Sequence, residues 1–468
     1  MTSRTLPMLQ TDAAAPDLGT TVPVAPTHHR SVYIETYGCQ MNVADTEVVA
    51  TVLDKSGYHM VDSPEQANVI LVNTCAVREN AEERVFGRIS QLAGLRQRNP
   101  ELTIGILGCM AQHLAKSLPQ RAPYVDLVAG PDSYSRLPEL LSETSDETLL
   151  DTRLSRTENY VGIDPTHRRD TTNAWVTIIR GCDKFCSFCI VPFVRGRERS
   201  VDSTEVLRQV HHLAEEGFRE VTLLGQTVNS YGDASGIRFP ELLRSVSAVD
   251  GIERVRFTSP YPVDLDDDVI SAMAETPEVC PSLHLPVQSA SPRQLESMRR
   301  GYTIKEYRQL VDRLRRAIPS LALTTDIIVG FCGETQEDFE LTRALMEEIR
   351  YDSAFMFRYS ERSGTFAYRK MEDNVPEAVK GERLRTIIEL QEGISREINE
   401  NSIGHTTEVL VEGRSRRTNA KGSPTWYGRN PQGKVVVFPQ EAPTNEFVEV
   451  VVNEVTSHTL RGSLIPPT

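Results

Sequence analysis

Residues 181–192 read Gly181-Cys182-Asp183-Lys184-Phe185-Cys186-Ser187-Phe188-Cys189-Ile190-Val191-Pro192. The stretch holds three cysteines in Cys-x-x-x-Cys-x-x-Cys spacing, and the apolar run Trp175–Ile179 before it predicts a buried strand. Cys182 is therefore expected in the loop just past the carboxyl end of that strand. In parallel α/β sheets and barrels this edge is where catalytic groups lie. The stretch predicts an α/β fold whose chemistry is carried by Cys182, Cys186 and Cys189.

The spacing of these thiols is typical of an iron–sulfur site. Three closely spaced thiolates can hold three irons of a 4Fe–4S cluster, and the fourth iron then stays open to a small molecule. A zinc site lacking its fourth ligand and three unconnected thiols are the alternatives. Zinc sites favour paired Cys-x-x-Cys groups with a His or a further Cys, and no His lies between Gly181 and Arg199. The pattern therefore favours the cluster.

The composition is that of a globular protein with several domains. Its 468 residues are enough for about three domains, and no apolar run approaches the length of a membrane span. Met1–Arg30 is rich in Ala, Pro and Thr, lacks the order of a secretory signal and is expected to be a disordered tail. The eight cysteines are grouped as metal ligands are, which predicts a reducing, cytoplasmic location rather than disulfides.

The formal net charge of −14 bears on the partners of the chain. A non-specific nucleic-acid coat needs a strongly basic surface, so the acidic balance argues against that class of protein. A selective RNA enzyme with one local basic face is still compatible with this charge.

The segment from Ser31 to about Ser145 repeats a strand followed by a helix. The strands are predicted at Val32–Gly38, Val69–Thr74, Thr103–Gly108 and Val125–Val128, and the helices at Val43–Lys55, Arg78–Arg96 and Met110–Ser117. Cys39, Cys75 and Cys109 directly follow or end the first three strands. If those strands are neighbours in a parallel sheet, the three thiols converge at one edge. The alternative is that each is an ordinary packing cysteine.

The repeat continues from Asn173 to Ser360. Strands are predicted at Trp175–Arg180, Glu220–Leu224, Arg254–Thr258, Ser282–Pro286, Leu323–Val329 and Ala354–Tyr359. Helices are predicted at Thr204–Glu216, Pro240–Ser247, Asp267–Glu275, Pro292–Arg299, Lys305–Ala317 and Gln336–Ile349. Six such units predict a partial (β/α)6 barrel that is open on one side, since a full barrel would need eight strands. A long polar helix, Pro376–Asn401, is expected to act as a linker or brace with a solvated face.

The pattern changes to period two after Thr406 and predicts a small all-β barrel. Its strands are predicted at Thr407–Glu412, Lys434–Phe438 and Phe447–Val452. The domain carries a basic cluster with interleaved aromatic residues: Arg414, Arg416, Arg417, Lys421, Arg429 and Lys434, with Trp426, Tyr427 and Phe438. Such a set binds RNA phosphates and stacks on bases, or it is a solvated loop beside ordinary core aromatics. Composition alone leaves both interpretations open.

Together these features resemble the radical S-adenosylmethionine superfamily, and the two flanking domains resemble its methylthiotransferase branch. The resemblance runs from about Ser31 to Ser463. It implies an N-terminal methylthiotransferase domain at 31–146, a radical S-adenosylmethionine core at 168–398 and a TRAM domain at 401–465. It also implies a 5′-deoxyadenosyl radical, formed by one-electron cleavage of S-adenosylmethionine, that initiates replacement of an adenine C2 hydrogen.

Three short motifs resemble the member of this branch that acts on N6-(dimethylallyl)adenosine in tRNA. They are Thr36–Asn42, Arg195–Glu198 and His284–Gln288. The implied reaction inserts sulfur at C2 of that nucleoside, at position 37 next to the anticodon, and methylates it. The alternatives are sister enzymes acting on a ribosomal protein or on threonylcarbamoyladenosine in tRNA, and a non-catalytic metal-bound RNA-binding module.

The resemblance also implies two 4Fe–4S clusters with separate roles. Their ligands would be Cys182, Cys186 and Cys189 for the cluster that binds S-adenosylmethionine, and Cys39, Cys75 and Cys109 for the sulfur carrier. Gln226, Asn229 and Gln288 follow barrel strands and are candidates for holding S-adenosylmethionine, with loop capping as the alternative. Arg195 and Arg197 are expected either to clamp a tRNA phosphate or to pair with nearby acids. The expected partners are the tRNA anticodon stem-loop, an electron donor and a sulfur source.

Overall fold

A computed structural model describes residues 4–5, 30–76, 79–143, 147–168, 172–415, 422 and 424–466. The chain divides into two compact units. Unit 1 comprises Met1–Arg169 and Phe193–Gly196, and unit 2 comprises Asp170–Pro192 and Arg197–Thr468. The four residues Phe193–Gly196 therefore pack with unit 1, although the chain before and after them belongs to unit 2.

Unit 1 is built on one seven-stranded sheet. Its strands are β1 (Arg4–Thr5), β2 (Ser31–Tyr37), β3 (His59–Met60), β4 (Val69–Thr74), β5 (Thr103–Leu107), β6 (Leu127–Ala129) and β7 (Leu149–Asp151). Its helices are α1 (Gln40–Lys55), α2 (Glu79–Ala93), α3 (Gly108–Leu114), α4 (Leu118–Arg121) and α5 (Leu137–Ser142). The strand order is β1-β2-β4-β5-β6-β7, with β3 also on β2, and only β1 runs antiparallel to its neighbour. Of the expected tail Met1–Arg30, the structure describes β1 and Arg30, and the other positions lie outside the described residues.

Helices cover both faces of this sheet because successive strand residues point to opposite sides. One core joins Tyr33, Ile70 and Ile104 of the sheet to apolar residues of α2, α3 and α4. The opposite core joins Ile34 and Leu71 to α1 and α5. The predicted parallel sheet with its helices is confirmed.

The connections of the sheet diverge between β2 and β4. Helix α1 leads from β2 back to β3 on the outer side of β2, whereas α2 leads from β4 onward to β5. In open parallel sheets a crevice forms at the carboxyl ends of the strands where the direction of connection reverses. Cys39 and Cys75 directly follow β2 and β4, so they lie at this switch point.

Unit 2 begins with a barrel of alternating strands and helices. Its strands are β8 (Asn173–Thr177), β9 (Ile179–Arg180), β10 (Arg199–Ser200), β11 (Glu220–Leu224), β12 (Arg254–Phe257), β13 (Ser282–His284), β14 (Ala322–Val329) and β15 (Ser353–Arg358). The chain's helices from α6 onward are α6 (Val191–Arg195), α7 (Ser203–Glu215), α8 (Phe239–Ser247), α9 (Asp267–Glu275), α10 (Pro292–Ser297), α11 (Ile304–Ala317), α12 (Gln336–Ile349), α13 (Phe366–Lys370) and α14 (Glu377–Glu400). Among the described residues, no helix has the length and apolar character needed to cross a membrane.

Six parallel strands line the barrel in chain order. The sheets β8-β11-β12 and β13-β14-β15 are each parallel throughout. A parallel bridge between Val255 of β12 and Val279, just before β13, continues the series. One apolar core, which includes Val176, Leu223 and Ile327, fills the space between these strands and their helices. The prediction of a partial (β/α)6 barrel is confirmed.

The C-terminal part of unit 2 is a closed five-stranded barrel in the order β16-β17-β18-β20-β19. Its strands are β16 (Thr406–Arg414), β17 (Trp426–Arg429), β18 (Val435–Phe438), β19 (Phe447–Val455) and β20 (Thr459–Leu464). The sequence pattern does not predict β17 and β20, because Gly428 and Gly462 interrupt their alternation. A Cβ at Gly428 would lie 2.0 Å from the Leu410 carbonyl oxygen, and one at Gly462 would lie 2.2 Å from that of Val451. These glycines let the strands approach closely enough to close the barrel.

Helix α14 braces the two barrels of unit 2, and its charges are not all solvated as expected. Lys380 is 1 % exposed and its Nζ lies 2.6 Å from Asp373 Oδ2. Near the other end, Asn399 Nδ2 donates to the Thr456 carbonyl at 2.9 Å. Charged and amide groups on the inner face of this helix therefore fix it to its neighbours.

Two arginines of β12 hold the turn between β17 and β18. Arg256 donates from Nη1 to the Pro431 carbonyl and from Nη2 to the Asn430 carbonyl, each at 2.9 Å. Arg254 Nη1 donates to the Arg429 carbonyl at 2.8 Å. The small barrel is thus anchored to the (β/α)6 barrel through directed bonds to its backbone.

Gly108 is expected to be essential for the stability of unit 1. Its φ is +88°, and an added Cβ would lie 2.3 Å from Asn73 Oδ1 and 2.6 Å from the Thr74 carbonyl oxygen. Gly108→Ala should therefore lower the free energy of unfolding by more than about 2 kcal/mol, measured by urea denaturation of metal-free protein.

Gly87→Ala is the matched control in helix α2. No heavy atom lies within 4 Å of the added Cβ, so this change should raise helix stability by up to about 1 kcal/mol. Equal urea midpoints for the two variants would contradict the clash at Gly108.

Candidate functional site

The Cys182–Cys189 loop follows β9 and is shaped by backbone bonds. Gly181 adopts φ +81°, and its N–H donates to Gln226 Oε1 at 2.6 Å. Within the loop, the Cys189 N–H donates to the Cys186 carbonyl at 3.0 Å. The three thiols are thereby gathered at the carboxyl edge of the barrel strands, as the sequence predicts. Cys182 and Cys186 are buried, and Cys189 is half-buried.

Burial weakens the acidity of two of these thiols, Cys182 and Cys189. It raises the pKa of Cys182 to about 11 and, together with Cys186, raises the pKa of Cys189 to about 12. The backbone of Lys184 hydrogen-bonds Cys182 and opposes the rise. The backbone of Val191 has the same effect at Cys189. Since a metal centre binds thiolates, its assembly on this loop must release protons.

Arg300 is a functional candidate that the sequence analysis missed. It is 5 % exposed, and its Nη1 donates to Cys186 Sγ at 3.3 Å. Its Nη2 donates to the Pro286 carbonyl at 2.9 Å, and its Nε donates to Tyr302 Oη at 3.2 Å. No carboxylate among the described residues pairs with it, and its three donors go to a sulfur, a carbonyl and a phenol oxygen. Within the sequence, Arg300 looks like any other residue of a basic run.

The three candidate cofactor residues have different environments. Gln226 accepts from Gly181 through its side-chain oxygen. Asn229 bonds the backbone of Tyr261 twice, donating at 2.9 Å and accepting at 2.7 Å. Gln288 is 7 % exposed and has φ +71°, a strained conformation for a residue with a Cβ. The first two side chains therefore shape loops, as the capping alternative expected, and a role in holding S-adenosylmethionine stays a prediction for all three.

A second group of charges lies around Asp183 in the same loop. Arg197 Nε is 2.5 Å from Asp183 Oδ1, so this arginine pairs with an acid as one alternative predicted. Glu198 Oε1 accepts from the Asp183 N–H at 3.1 Å and from Thr227 Oγ1 at 2.8 Å. Lys184, the next residue, pairs with Asp264 at 2.5 Å. These bonds tie the cysteine loop to the loop that follows β11.

In unit 1 the structure brings Cys39, Cys75 and Cys109 together. They follow β2, β4 and β5, which are neighbours in the sheet. A hydrogen bond with Cys75 lowers the pKa of Cys39 to about 6, and Arg195 acts in the same direction. Burial raises the pKa of Cys109, which also interacts with Cys39. Cys39 is exposed, Cys75 is half-buried and Cys109 is buried, so solvent access falls from the first thiol to the third.

A network of buried hydrogen bonds joins the strand ends next to these thiols. Asn42 donates to Asn73 Oδ1 at 3.1 Å and to the Thr74 carbonyl at 3.2 Å. Asn73 donates in return to the Asn42 carbonyl at 3.0 Å and to Thr46 Oγ1 at 2.9 Å. Because buried amides and hydroxyls are costly unless bonded, such a satisfied network fixes the positions of the strand ends. It rigidly positions the start of α1, which follows Cys39.

Arg195 and Asp45 complete this cluster and are buried. Arg195 Nε donates to Cys109 Sγ at 3.2 Å, and its Nη2 lies 2.8 Å from Asp45 Oδ2. Asp45 is a second residue that the sequence analysis missed. The available signal was the unusual polarity of α1, which buries Asn42, Asp45, Thr46 and Glu47.

The donor chemistry of both groups fits iron–sulfur clusters, since each consists of three soft thiols. Among the described residues, no three His, Cys, Asp or Glu side chains have the arrangement that holds a metal ion. A 4Fe–4S cube binds each thiolate through a different iron, so its cysteines stand farther apart than the ligands of one ion. The remaining cysteines, Cys280 and Cys332, are buried and belong to packing.

The basic cluster of the small barrel is only partly described. Three of its members lie outside the described residues: Arg416, Arg417 and Lys421. Arg429 pairs with Glu412 at 2.9 Å, and Lys434 pairs with Asp352 at 2.8 Å. These two cations therefore contribute to packing, whereas Arg414 is exposed.

Two of the three aromatic residues of that cluster, Trp426 and Phe438, belong to the core of the small barrel. Phe438 is 1 % exposed, and Trp426 packs against the same apolar cluster. The packing of these two rings supports a role in the core and not a role in base stacking.

Three family models match the chain. The Uncharacterized protein family UPF0004 matches residues 31–130, the Radical SAM superfamily matches residues 176–346, and the TRAM domain matches residues 401–465. These matches correspond to the sheet of unit 1, the (β/α)6 barrel and the closed five-stranded barrel.

Three curated relatives named tRNA-2-methylthio-N(6)-dimethylallyladenosine synthase are similar over nearly their whole length. The protein of Porphyromonas gingivalis strain W83 is 47% identical over 445 residues, covering 93% of this chain and 95% of the relative. That of Chloroherpeton thalassium is 46% identical over 437 residues, covering 93% and 96%. That of Carboxydothermus hydrogenoformans is 46% identical over 445 residues, covering 93% and 99%.

Solved structures share the fold at low sequence identity. The radical S-adenosylmethionine methyltransferase TsrM of Kitasatospora setae, with tryptophan and a SAM analogue bound, superposes with a TM-score of 0.54 at 14% identity. The match covers 84% of this chain and 80% of TsrM. The cobalamin-dependent radical enzyme OxsB gives a TM-score of 0.52 at 12% identity, covering 78% of this chain and 56% of OxsB.

The barrel, its cysteine loop and the flanking domains define a radical SAM enzyme of the methylthiotransferase class. This confirms the class that the cysteine spacing and the two flanking domains predict. With 46 to 47% identity across nearly the full length of its relatives, the chain belongs to the tRNA-2-methylthio-N(6)-dimethylallyladenosine synthase family.

In metal-free protein, Cys39 should react with iodoacetamide on the order of tenfold or more faster than Cys182 at neutral pH, because the thiolate is the nucleophile. Because the pKa of Cys39 is lowered to about 6, its alkylation rate should rise through about pH 6 and then level off. The rate at Cys182, with its pKa raised to about 11, should still be rising at pH 9. Peptide mass spectrometry at a series of pH values measures both profiles.

Cys75→Ala tests the cause of this difference. Loss of the Cys75 hydrogen bond should move the Cys39 inflection to higher pH. An unchanged inflection would show that another group sets the acidity of Cys39.

Proposed function

We propose that this chain converts N6-(dimethylallyl)adenosine at position 37 of tRNA to its 2-methylthio derivative, by inserting sulfur at C2 and methylating it. The observation that carries this proposal is the 46 to 47% identity with relatives of that name over at least 95% of their length. The enzyme would be a transferase of the radical SAM class, in agreement with its barrel and cysteine loop.

Cys182, Cys186 and Cys189 are proposed as the ligands of the 4Fe–4S cluster that binds S-adenosylmethionine. When bound, the cluster and S-adenosylmethionine supply the radical chemistry that replaces the C2 hydrogen of the adenine. The chain's own part is to hold the loop, through Gly181 and the backbone bonds of the cysteines. Arg300 places a cation beside Cys186 and donates a hydrogen bond to its sulfur.

Cys39, Cys75 and Cys109 are proposed as the ligands of a second 4Fe–4S cluster that carries the inserted sulfur. Their convergence at the switch point of a parallel sheet supports this role, as does the rigid network of Asn42 and Asn73 beneath them. Two three-thiol sites account for six of the eight cysteines. The other two are buried packing residues, which leaves no cysteine without a role.

Gln226, Asn229 and Gln288 are proposed to lie along the bound S-adenosylmethionine. Gln226 already uses its oxygen on Gly181, so its amide N–H groups are what it offers a ligand. Gln288 lies beside β14, where its backbone pairs with Ile327. Its left-handed backbone is the kind of strain that is retained at functional sites.

The proposed macromolecular partner is the anticodon stem-loop of tRNA, bound in part by the TRAM barrel. A low-potential electron donor and a source of sulfur are required by the proposed chemistry. We also place the enzyme in the cytoplasm, where thiols stay reduced and tRNA is abundant.

Iron analysis and product analysis together test the two-cluster assignment. Anaerobically reconstituted protein should contain about eight irons per chain, because two 4Fe–4S cubes are expected. The triple variant Cys39→Ala/Cys75→Ala/Cys109→Ala should keep about four irons and form 5′-deoxyadenosine without 2-methylthio product. The variant Cys182→Ala/Cys186→Ala/Cys189→Ala should lose both products.

Cys280→Ala serves as the control, and it should keep the full iron content. About four irons in the unmodified protein would remove the sulfur-carrier site from the proposal. In a deletion strain, tRNA with an unchanged content of 2-methylthio-N6-(dimethylallyl)adenosine would instead point to a sister substrate. Bound zinc without 5′-deoxyadenosine formation would favour a non-catalytic RNA-binding module.

The RNA-binding role of the TRAM barrel is tested at Arg416 and Arg417. Reversal of both charges should weaken tRNA binding and reduce the slope of log affinity against log salt by about two, one for each lost phosphate contact. Binding measured by filter retention at a series of salt concentrations gives both values. Lys434→Gln is the comparison, because Lys434 pairs with Asp352. Unchanged affinity and slope in the reversal variant would make the small barrel a brace only.

A further inference from the structure

Arg195 follows the cysteine loop of unit 2 in sequence but belongs to unit 1. It lies on the short segment Phe193–Gly196, which packs with unit 1 rather than unit 2. Its side chain is 4 % exposed, and its Nε donates to Cys109 Sγ at 3.2 Å. The guanidinium is therefore buried against one of the three thiols that follow the strands of the sheet.

Asp45 fixes the orientation of this guanidinium. The carboxylate is 0 % exposed, and its Oδ2 lies 2.8 Å from Arg195 Nη2. The same oxygen accepts from Tyr134 Oη at 3.4 Å. Because Asp45 contacts Nη2 of the planar group, it limits the rotation of the adjacent Nε–H, which is directed at Cys109.

The helices that carry Asp45 and Cys109 begin next to cysteines of this site. Asp45 lies in the second turn of α1, which starts at Gln40 directly after Cys39. Cys109 lies in the first turn of α3. The Asp45–Arg195 pair thus links the helix that follows one thiol to the sulfur of another.

Stability is a weak explanation for this arrangement. Removing two charges from water costs as much as their attraction returns, so a buried ion pair contributes little compared with apolar packing. A guanidinium beside Cys39 and Cys109 has a clearer role when those thiols are ionised. It then offsets part of their negative charge and donates a charge-assisted hydrogen bond to one of them.

We propose that Arg195 is a positioning residue for the three-cysteine site of unit 1, with Asp45 as its orienting partner. The inference rests on the proposed function, since it assigns Arg195 to the site that would carry the inserted sulfur. Arg195 sets the geometry and charge at Cys109, and it is required for the site to hold its cluster. It is not required for the site formed by Cys182, Cys186 and Cys189.

The test uses the full chain with the other site removed, by Cys182→Ala/Cys186→Ala/Cys189→Ala. After anaerobic reconstitution this background should hold about four irons and give one cluster spectrum when reduced with dithionite. Adding Arg195→Gln should lower the iron content by at least half and change the electron paramagnetic resonance signal of what remains. Arg195→Lys, which keeps the charge without the fork of donors, should give an intermediate iron content.

Arg88→Gln is the matched control in the same unit. Arg88 forms a pair with Glu35 at 2.6 Å and bonds no thiol in the part of the chain that the structure describes, so the control should keep the iron content of the background. Arg195→Gln alone leaves the buried carboxylate of Asp45 without its cation, which could cause misfolding. The double variant Arg195→Gln/Asp45→Asn avoids this, because it removes both buried charges together. The circular dichroism spectrum and the unfolding midpoint of this double variant should be close to those of the background.

A second readout uses the enzyme with all six cysteines. Arg195→Gln should form 5′-deoxyadenosine within twofold of the unmodified rate, while the yield of methylthiolated tRNA falls at least tenfold. A merely structural role would lower both together.

The outcomes separate this inference from the proposed function. If the background holds no iron, the sulfur-carrier cluster itself is wrong and Arg195 has no such role. If the background holds about four irons and both Arg195 variants keep them with the same spectrum, the proposed function stands and the positioning role is overturned.

Discussion

Three thiolates gathered in one place repel one another, and the remainder of each site offsets that repulsion. Each trio has one buried arginine that donates to a single sulfur: Arg195 to Cys109 and Arg300 to Cys186. Backbone N–H groups contribute further donors in the loop that follows β9. A buried cation is costly unless an anion accompanies it. Arg195 has the carboxylate of Asp45 beside it, whereas no carboxylate among the described residues pairs with Arg300. Both sites place a cation against one sulfur, but they balance that cation differently.

The folds that carry the two trios are different, although both use strand ends. In the barrel, one loop supplies all three cysteines, and the loop conformation alone sets their spacing. In the sheet of unit 1, each cysteine follows a separate strand, so the spacing depends on the register of β2, β4 and β5. That dependence explains why the strand ends are joined by the buried amides of Asn42 and Asn73.

Patterns along the chain predict the scaffold and the thiols well, because periodicity and position at a strand end are local properties. The parallel strands, the six barrel units and the placement of Cys39, Cys75 and Cys109 follow from such patterns. The buried partners of the thiols do not, since nothing local tells Arg300 from a solvated arginine. For the same reason, the sequence left Phe438 between an RNA-binding and a core role, and packing decides for the core. The strands β17 and β20 were missed because Gly428 and Gly462 break their alternation of apolar and polar side chains.

The short segment Phe193–Gly196 has a consequence for how such a protein can be divided or recombined. A gene fragment that ends at residue 169 would encode every strand of the first sheet and all three of its cysteines. It would nevertheless lack Arg195, and its interior would contain the carboxylate of Asp45 without the cation that accompanies it. A fragment that ends at residue 169 is therefore not a complete unit 1. The segment Phe193–Gly196 has to be kept with it.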